Sequence, residues 1–521
     1  MNVRRGDVLA GVLAMWITAG WPTEAGQIAA GPEVRAPAVA GAFYPADGPM
    51  LRRAVETMLA SARGAVADDP VVIVAPHAGY VFSGQIAADA FRQVQGRAID
   101  LVVLLGANHT AGGFDRIAVY PGTAFRTPLG LAPVDRDLAR AVVSADPAAV
   151  SDERPHTSEH SIEVLVPFVQ VLFPAARIVP IVVARADPDV CARFGRALAG
   201  VLKGRRALVV ASSDLSHYPP AREARPVDQR TLAAMAALDA KALVAHARHV
   251  EEQRSSSLVT AACGLLPVLT AISAARALGA IDGQVVSYAN SSEVAVGDPS
   301  RVVGYGAVVL FRGSRKGTGA PVSDSLGNGA TAVAGQDAVL TEDEKRRLLT
   351  LARDTITLFL ETGTVPLVRD HESRLAARHQ GAFVTLKRRG QLRGCVGRIV
   401  AEDPLPQLVS RAALEAALKD SRFKPVTGRE VRDLEIEISL LTPVRRIASP
   451  GEIALGRDGV VLQKDGHLAV FLPQVATEQG WTRDQLLDHL CVKADLALGC
   501  WATGATLATF QAEVFGEPAV K

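Results

Sequence analysis

What this chain can fold into is constrained most by apolar runs that lack any polar alternation. Val71-Val72-Ile73-Val74-Ala75 leads into Pro76-His77-Ala78-Gly79-Tyr80, and Leu101-Val102-Val103-Leu104-Leu105 leads into Gly106-Ala107-Asn108-His109. A third run, Ala207-Leu208-Val209-Val210-Ala211, leads into Ser212-Ser213-Asp214-Leu215-Ser216-His217-Tyr218. Short Val/Leu/Ile runs separated by helix-length segments predict parallel strands buried on both faces. Ligands of open α/β sheets sit beyond the carboxyl ends of the strands. The three runs therefore deliver imidazoles and a carboxylate to one rim, where metal binding or acid–base chemistry is the natural use.

At roughly 150 residues per domain, 521 residues predict two to four domains. The 56 basic and 54 acidic residues leave a net charge of +2 with no long basic block, which argues against a nucleic-acid partner. Five cysteines, odd in number and without a CxxC pair, indicate neither a disulfide framework nor a cysteine zinc site. In residues 1–33, Arg4-Arg5 precedes the uncharged stretch Val8 to Trp21 and the polar Pro22-Thr23-Glu24-Ala25-Gly26. That is the layout of a secretory signal with a cut after Ala25. Two localisations stay open: export through residues 1–25, or a cytoplasmic protein carrying an unstructured tail or an overextended start. The stretch is too short and too rich in glycine for a membrane span of about 20 residues, so no stable span is expected.

From 34 to 312 strands alternate with helical patterns, which predicts a βαβ-built sheet. Residues 313–338 turn to Gly, Ser, Ala, Thr and Asp without apolar period and predict a flexible linker. A second domain, 339–516, opens with the capping box Thr341-Glu342-Asp343-Glu344 ahead of an amphipathic helix. Hairpin-like runs follow: Phe383 to Lys387, the Arg388-Arg389-Gly390 turn, and Leu392 to Val400. Helical Leu405 to Lys419 and the alternating Leu434 to Leu441 complete an α+β pattern.

His77 and His109 each sit in a glycine-containing turn beside a polar neighbour, Tyr80 or Asn108, placed to orient a metal ligand. Cys263 lies where Gly264 and Pro267 suggest a helix start, a position that lowers a thiol pKa and makes it a soft ligand or a nucleophile. With two imidazoles it completes a three-ligand site with an open position. A small buried hydrophobe is the alternative for Cys263. His156-Thr157-Ser158-Glu159-His160 matches the H-x-x-E-H pattern of metallohydrolases. Pro155 and the late onset of the apolar period argue instead for a polar loop entering a helix, with Thr157 or Ser158 as N-cap, from which His160 and Glu163 reach the cleft. Cys395, between two glycines and beside Arg393 and Arg398, reads either as a thiolate or anion site or as the buried cysteine of a tight hairpin.

Ala40-Gly41-Ala42-Phe43-Tyr44-Pro45, Pro76-His77-Ala78-Gly79-Tyr80, Gly106-Ala107-Asn108-His109, Glu159-His160-Ser161-Ile162-Glu163 and Ser213-Asp214-Leu215-Ser216-His217-Tyr218 together resemble the Memo family over 34–312. Residues 339–516 resemble the AMMECR family through Leu392-Arg393-Gly394-Cys395-Val396-Gly397, Asp420-Ser421-Arg422-Phe423, Glu437-Ile438-Ser439 and Leu472-Pro473-Gln474-Val475-Ala476. Lys424 and Asp495 stand where that pattern has proline and glycine. The resemblance implies a first domain folded like class III extradiol dioxygenases, with His77, His109 and Cys263 at the metal-site positions and Asp214 and His217 at the other cleft positions. It also implies a radical SAM protein as partner, because the fusion resembles a bacterial system in which the two families are encoded beside one. Iron or copper is the expected metal, and the cysteine in place of a carboxylate favours copper or a redox role. His217 is expected to act as general acid/base with Asp214 orienting it, and His160 to meet the substrate. Binding of a peptide or anion in the same cleft without turnover is the competing reading.

Overall fold

A computed structural model describes residues 34–184, 187–253, 258–316, 340–369, 374–401 and 403–517. The signal-like segment 1–33 and most of the expected linker, 317–338, lie outside the described residues. The chain divides into two compact units, 34–316 and 340–517 among the described residues, apart from 361–364. No helix among the described residues is long and apolar enough to cross a membrane.

The first unit is built on an eight-stranded sheet. Its strands in chain order are β1 (Pro70–Ala75), β2 (Leu101–Gly106), β3 (Ile117–Val119), β4 (Ala149–Ser151), β5 (Arg177–Val183), β6 (Ala207–Ser212), β7 (Asp282–Asn290) and β8 (Gly304–Phe311). They lie in the order β7-β8-β1-β6-β2-β5-β3-β4. The four central strands β1, β6, β2 and β5 are parallel, as their unalternating apolar runs predict. The flanking strands make the sheet mixed: β8 pairs antiparallel with both β1 and β7, and β3 antiparallel with β5. A wholly βαβ-built sheet is therefore too simple an expectation, because the last two strands form a hairpin-like ladder with no crossover helix between them. Helices α1 (Pro188–Leu202) and α2 (Leu265–Ala277) pack on the sheet through Phe194, Leu198, Val268, Leu269 and Ile272, all almost fully buried.

Residues 313–316, expected to begin the linker, still belong to this unit. Ser314 O accepts from Asp68 N, Lys316 N donates to Val66 O, and Arg315 pairs with Asp282.

In the second unit, α3 (Glu342–Thr362) starts at the expected capping box: Glu344 N donates to Thr341 Oγ1, and Thr341 N to Glu344 Oε2. Two antiparallel sheets follow. Strands β9 (Ala382–Arg388), β10 (Gln391–Arg398) and β11 (Leu434–Leu441) join β16 (Ala512–Gly516) in the order β10-β9-β11-β16. Strands β12 (Arg445–Ile447), β13 (Gly459–Lys464), β14 (His467–Phe471) and β15 (Thr506–Phe510) run in the order β12-β15-β13-β14. Helix α4 (Leu405–Leu418) shares a core with the first sheet, and α5 (Arg483–Lys493) with the second. Asp495, at the glycine position of the family pattern, has φ +62°, a left-handed conformation that glycine adopts freely and aspartate tolerates.

One cysteine expectation fails, and of the two readings of Cys395 the buried hairpin cysteine is the one found. Cys491 and Cys500 form a disulfide closing a nine-residue separation between α5 and the turn after it, a short local loop that a search for repeated spacings does not find. Cys395 is not set up as a thiolate: burial pushes its pKa up, and Thr385 donates to its sulfur at 3.3 Å. The neighbouring guanidiniums turn elsewhere, Arg393 to Glu430 and Arg398 to Glu415.

Candidate metal centre

Register puts three loops at one sheet edge. Ala75 pairs with Ser212 and Leu105 with Ala211, so β1, β2 and β6 end level. His77, His109 and Asp214 follow within three residues of those ends. Two glycines allow the loops to close in. A Cβ on Gly106 would lie 2.5 Å from the Ile162 side chain, and one on Gly264 would lie 2.2 Å from Ser212 O. The first approach brings the Glu159–His160 segment against β2, and the second brings Cys263, just before α2, against the end of β6.

The result is a knot of imidazoles and a thiol. Cys263 Sγ lies 3.2 Å from His77 Nε2. The ring centroids of His77 and His109 are 5.1 Å apart, and His160 stacks on His109 at 4.9 Å. One ligand atom from each of His77, His109 and Cys263 falls within 4.8 Å of the others, and the same holds for Asp214, His217 and Cys263 and for His109, Glu159 and His160.

Hydrogen bonds fix the ring tautomers. Ser212 Oγ spends its single proton on Ser161 O, so at 2.8 Å from His77 Nδ1 it acts as acceptor and Nδ1 carries the hydrogen. Burial, then the neighbouring His109 and His160 charges, drive the His77 pKa well down, which leaves a neutral ring. Its Nε2 therefore presents a lone pair to the centre. His109 Nδ1 lies 2.9 Å from the Glu159 carboxylate, and His217 Nδ1 lies 2.9 Å from Leu215 O. Both acceptors require an Nδ1 hydrogen, so in their neutral form these rings keep the lone pair on Nε2. Burial works against the Glu159 charge, but His109 and the backbone N–H groups of His109 and Ser161 outweigh it and hold the carboxyl at about 2. Burial likewise lowers His109, yet Glu159 raises it overall. Each imidazole tied at Nδ1 by an oxygen and open at Nε2 is the arrangement of metal-ligating histidines. The donors fit one soft or borderline cation.

Several sequence expectations change in detail. Tyr80 donates to Val164 O and the Asn108 amide bonds Ala111, so neither orients a histidine; Ser212 and Glu159 do. Asp214 does not hydrogen-bond His217. Its carboxylate accepts from His77 N, and burial pushes its pKa up. The Cys263 thiol is raised well above 9 by burial, then by Asp214, not lowered by the helix start. In the H-x-x-E-H stretch, His156 closes a 3-10 turn, bonds Ala118 O and packs on Tyr120, away from His160. The hydrolase pattern thus has no shared helix face, and neither Thr157 nor Ser158 caps a helix. Glu163 is buried in an ion pair with Arg35 and accepts from Ala38 N, Val39 N and Tyr44 OH, so it is structural. Sequence reading missed Arg35 and Asp228. Arg35 donates to His156 O and Glu159 O, which fixes the segment behind His109. Asp228 accepts from Ser216 N at 2.8 Å and from Tyr288 OH at 2.9 Å, which fixes the loop carrying His217. Neither carries a local motif.

Comparison with known proteins gives each unit a family. The model of the Memo-like protein family matches residues 35–309, and the AMMECR1 family model matches 349–515. A MEMO1 family protein of Aquifex aeolicus is 40% identical over 279 residues, covering 53% of this chain and 99% of that protein. One of Methanopyrus kandleri is 36% identical over 291 residues, covering 54% and 99%. The solved structure of an uncharacterized protein from Pyrococcus horikoshii is 34% identical and matches with a TM-score of 0.32, covering 33% of this chain and 91% of that one. With its first unit matched along nearly the whole length of these curated relatives, the chain belongs to the Memo family and carries an AMMECR1 domain behind it.

Proposed function

We propose that the first unit is a metal-dependent redox module that holds one iron or copper ion through His77, His109 and Cys263 and acts on a small molecule in the cleft. The observation that carries this reading is that His77, His109 and Cys263 bring ligand atoms within 4.8 Å of one another, with the Nδ1 atoms of the two rings committed to Ser212 and Glu159 and His77 Nε2 3.2 Å from the thiol. When bound, such an ion supplies Lewis acidity and one-electron chemistry. The chain's own groups do the rest. His217, held at Nδ1, takes or returns a proton at Nε2; His160, ringed by Phe43, His77 and His109, lines the substrate side. Asp214 anchors the His77 backbone and brings a carboxylate oxygen within 4.8 Å of a His217 ring nitrogen. The dioxygenase-like fold and the radical SAM partner enter from the motif resemblance.

Metal analysis of protein purified without an affinity tag tests the reading. About one iron or copper per chain, lost in His109→Ala, is the expected result. Protein that holds no metal after anaerobic handling, or a His109→Ala variant that keeps it, overturns the reading in favour of a peptide- or anion-binding cleft. Cys263→Ser should weaken copper more than iron, because a soft sulfur is exchanged for a hard oxygen.

A further inference from the structure

The loop that carries His217 is anchored by one buried carboxylate. Beyond β6 the chain meets the start of β8, where Leu215 N donates to Gly304 O and Gly304 N to Ser216 O. Ser216 N is left over, and Asp228 Oδ1 accepts from it at 2.8 Å. Asp228 lies in the helix Ala221–Ala236 and is 0% exposed. Its other oxygen accepts from Tyr288 OH on β7 at 2.9 Å. A Cβ on Gly304 would lie 2.0 Å from Asp228 Oδ2, so the first residue of β8 has to lack one. Helix, loop and two strands thus meet on one carboxylate.

No cation among the described residues pairs with it. Arg225, one turn earlier on the same helix, goes to Glu293 at 3.1 Å and lies over the Tyr288 ring at 5.1 Å. The other titratable groups around it are His217, next to Ser216 in the chain, and His246, which bonds Val227 O from the helix Ala240–Gln253. Both hydrogen-bond donors to Asp228 are therefore neutral, and burial pushes its carboxyl up to about 6 against them and the Arg225 charge. The two donors answer an added proton differently. The Tyr288 hydroxyl can turn and accept, whereas the Ser216 N–H cannot. The proton therefore settles on Oδ2, and Ser216 N is left with a neutral oxygen, a bond roughly half as strong as one to a carboxylate.

From this we infer that Asp228 is a positioning residue for His217, holding its loop firmly through Ser216 N as a carboxylate and loosely as an acid. This rests on the reading of His217 as the group that moves a proton in the cleft, and goes beyond it by assigning what sets the place of that group and when the hold relaxes.

The test follows the Ser216 amide and the His217 ring by NMR in the isotope-labelled full chain, stripped of metal, from about pH 8 to about pH 5. Both signals should move through a shared step with a midpoint near 6. Asp228→Asn keeps a neutral oxygen toward Ser216 N. It should hold the Ser216 signal at the native acid position throughout and remove the shared step from His217. His217→Gln should leave the Ser216 step in place; loss of the step there assigns it to the charge of His217 itself and overturns the inference. So does a Ser216 amide that does not titrate, or a step that survives Asp228→Asn. Where Asp228→Asn fails to fold, Tyr288→Phe, which takes one donor from the carboxylate, should raise the midpoint, and an unchanged midpoint counts against Asp228. A Ser216 step without any response at His217 overturns the positioning role while leaving the metal reading, tested by metal content, standing.

Discussion

His109 and Glu159 form the pair on which the centre's electrostatics turn. Glu159 Oε2 also accepts from His109 N, and its Oε1 accepts from the backbone N–H groups of His160 and Ser161, so the carboxylate is saturated with donors. Its folded pKa of about 2 lies below the ordinary 4.5. A depressed carboxyl stabilises the fold above the unfolded pKa and loses that contribution as pH falls through the folded value. The metal-free first unit should therefore lose stability between about pH 4.5 and pH 2, and Glu159→Gln should remove that portion of the pH dependence, read from denaturation midpoints. The same substitution removes most of what raises His109, leaving Asp214 alone against its burial, and should lower the His109 pKa in an NMR titration. Metal affinity should fall roughly 10- to 100-fold, as with other partners behind ligating histidines. His77 is 2% exposed, so its truncation also removes buried packing, whereas the His109 side chain, 29% exposed, allows a cleaner test of ligation.

At the level of elements, the centre depends on how closely loops approach strand ends. Gly264 has an ordinary backbone, but a methyl there meets Ser212 O at 2.2 Å and Ser213 at 2.6 Å. Gly264→Ala should push α2 off the end of β6, cost about 1–3 kcal/mol in denaturant unfolding, and weaken metal binding by displacing Cys263. The segment behind His109 is held from its other side by the buried Arg35–Glu163 pair. Removing one partner of such a pair leaves an uncompensated buried charge. Glu163→Gln should therefore destabilise the first unit by about 3 kcal/mol or more, measured by chemical denaturation, although Glu163 touches none of the candidate ligands.

Across the whole molecule, the two units have separate cores, one around the eight-stranded sheet and the others around the two antiparallel sheets. The candidate ligands lie entirely in the first unit, and the disulfide lies entirely in the second. Cys500→Ala should lower the stability of the second unit by about 2–3 kcal/mol, the loop-closure value for so short a loop, and leave metal content and the unfolding of the first unit unchanged. Calorimetry of the full chain should show only one of two transitions move.

Local chemistry already determined a good deal: unalternating Val/Leu/Ile runs fixed the parallel core strands, a capping box fixed the start of α3, motifs after strand ends marked His77, His109, Asp214 and His217, and helix-entry segments marked His160 and Cys263. These are legible because burial on both faces, helix starts and strand-end loops each leave a signature within a few residues. Tertiary structure alone decided which oxygen holds each imidazole, and hence which nitrogen is free. Arg35 reaches Glu163 across 128 residues, and Ser212 reaches His77 across 135. The same holds for the antiparallel placement of β8, the Cys491–Cys500 bond and the raised Cys263 thiol. Pairing, proton placement and desolvation depend on what the fold brings alongside a residue, and a linear pattern carries no record of those neighbours.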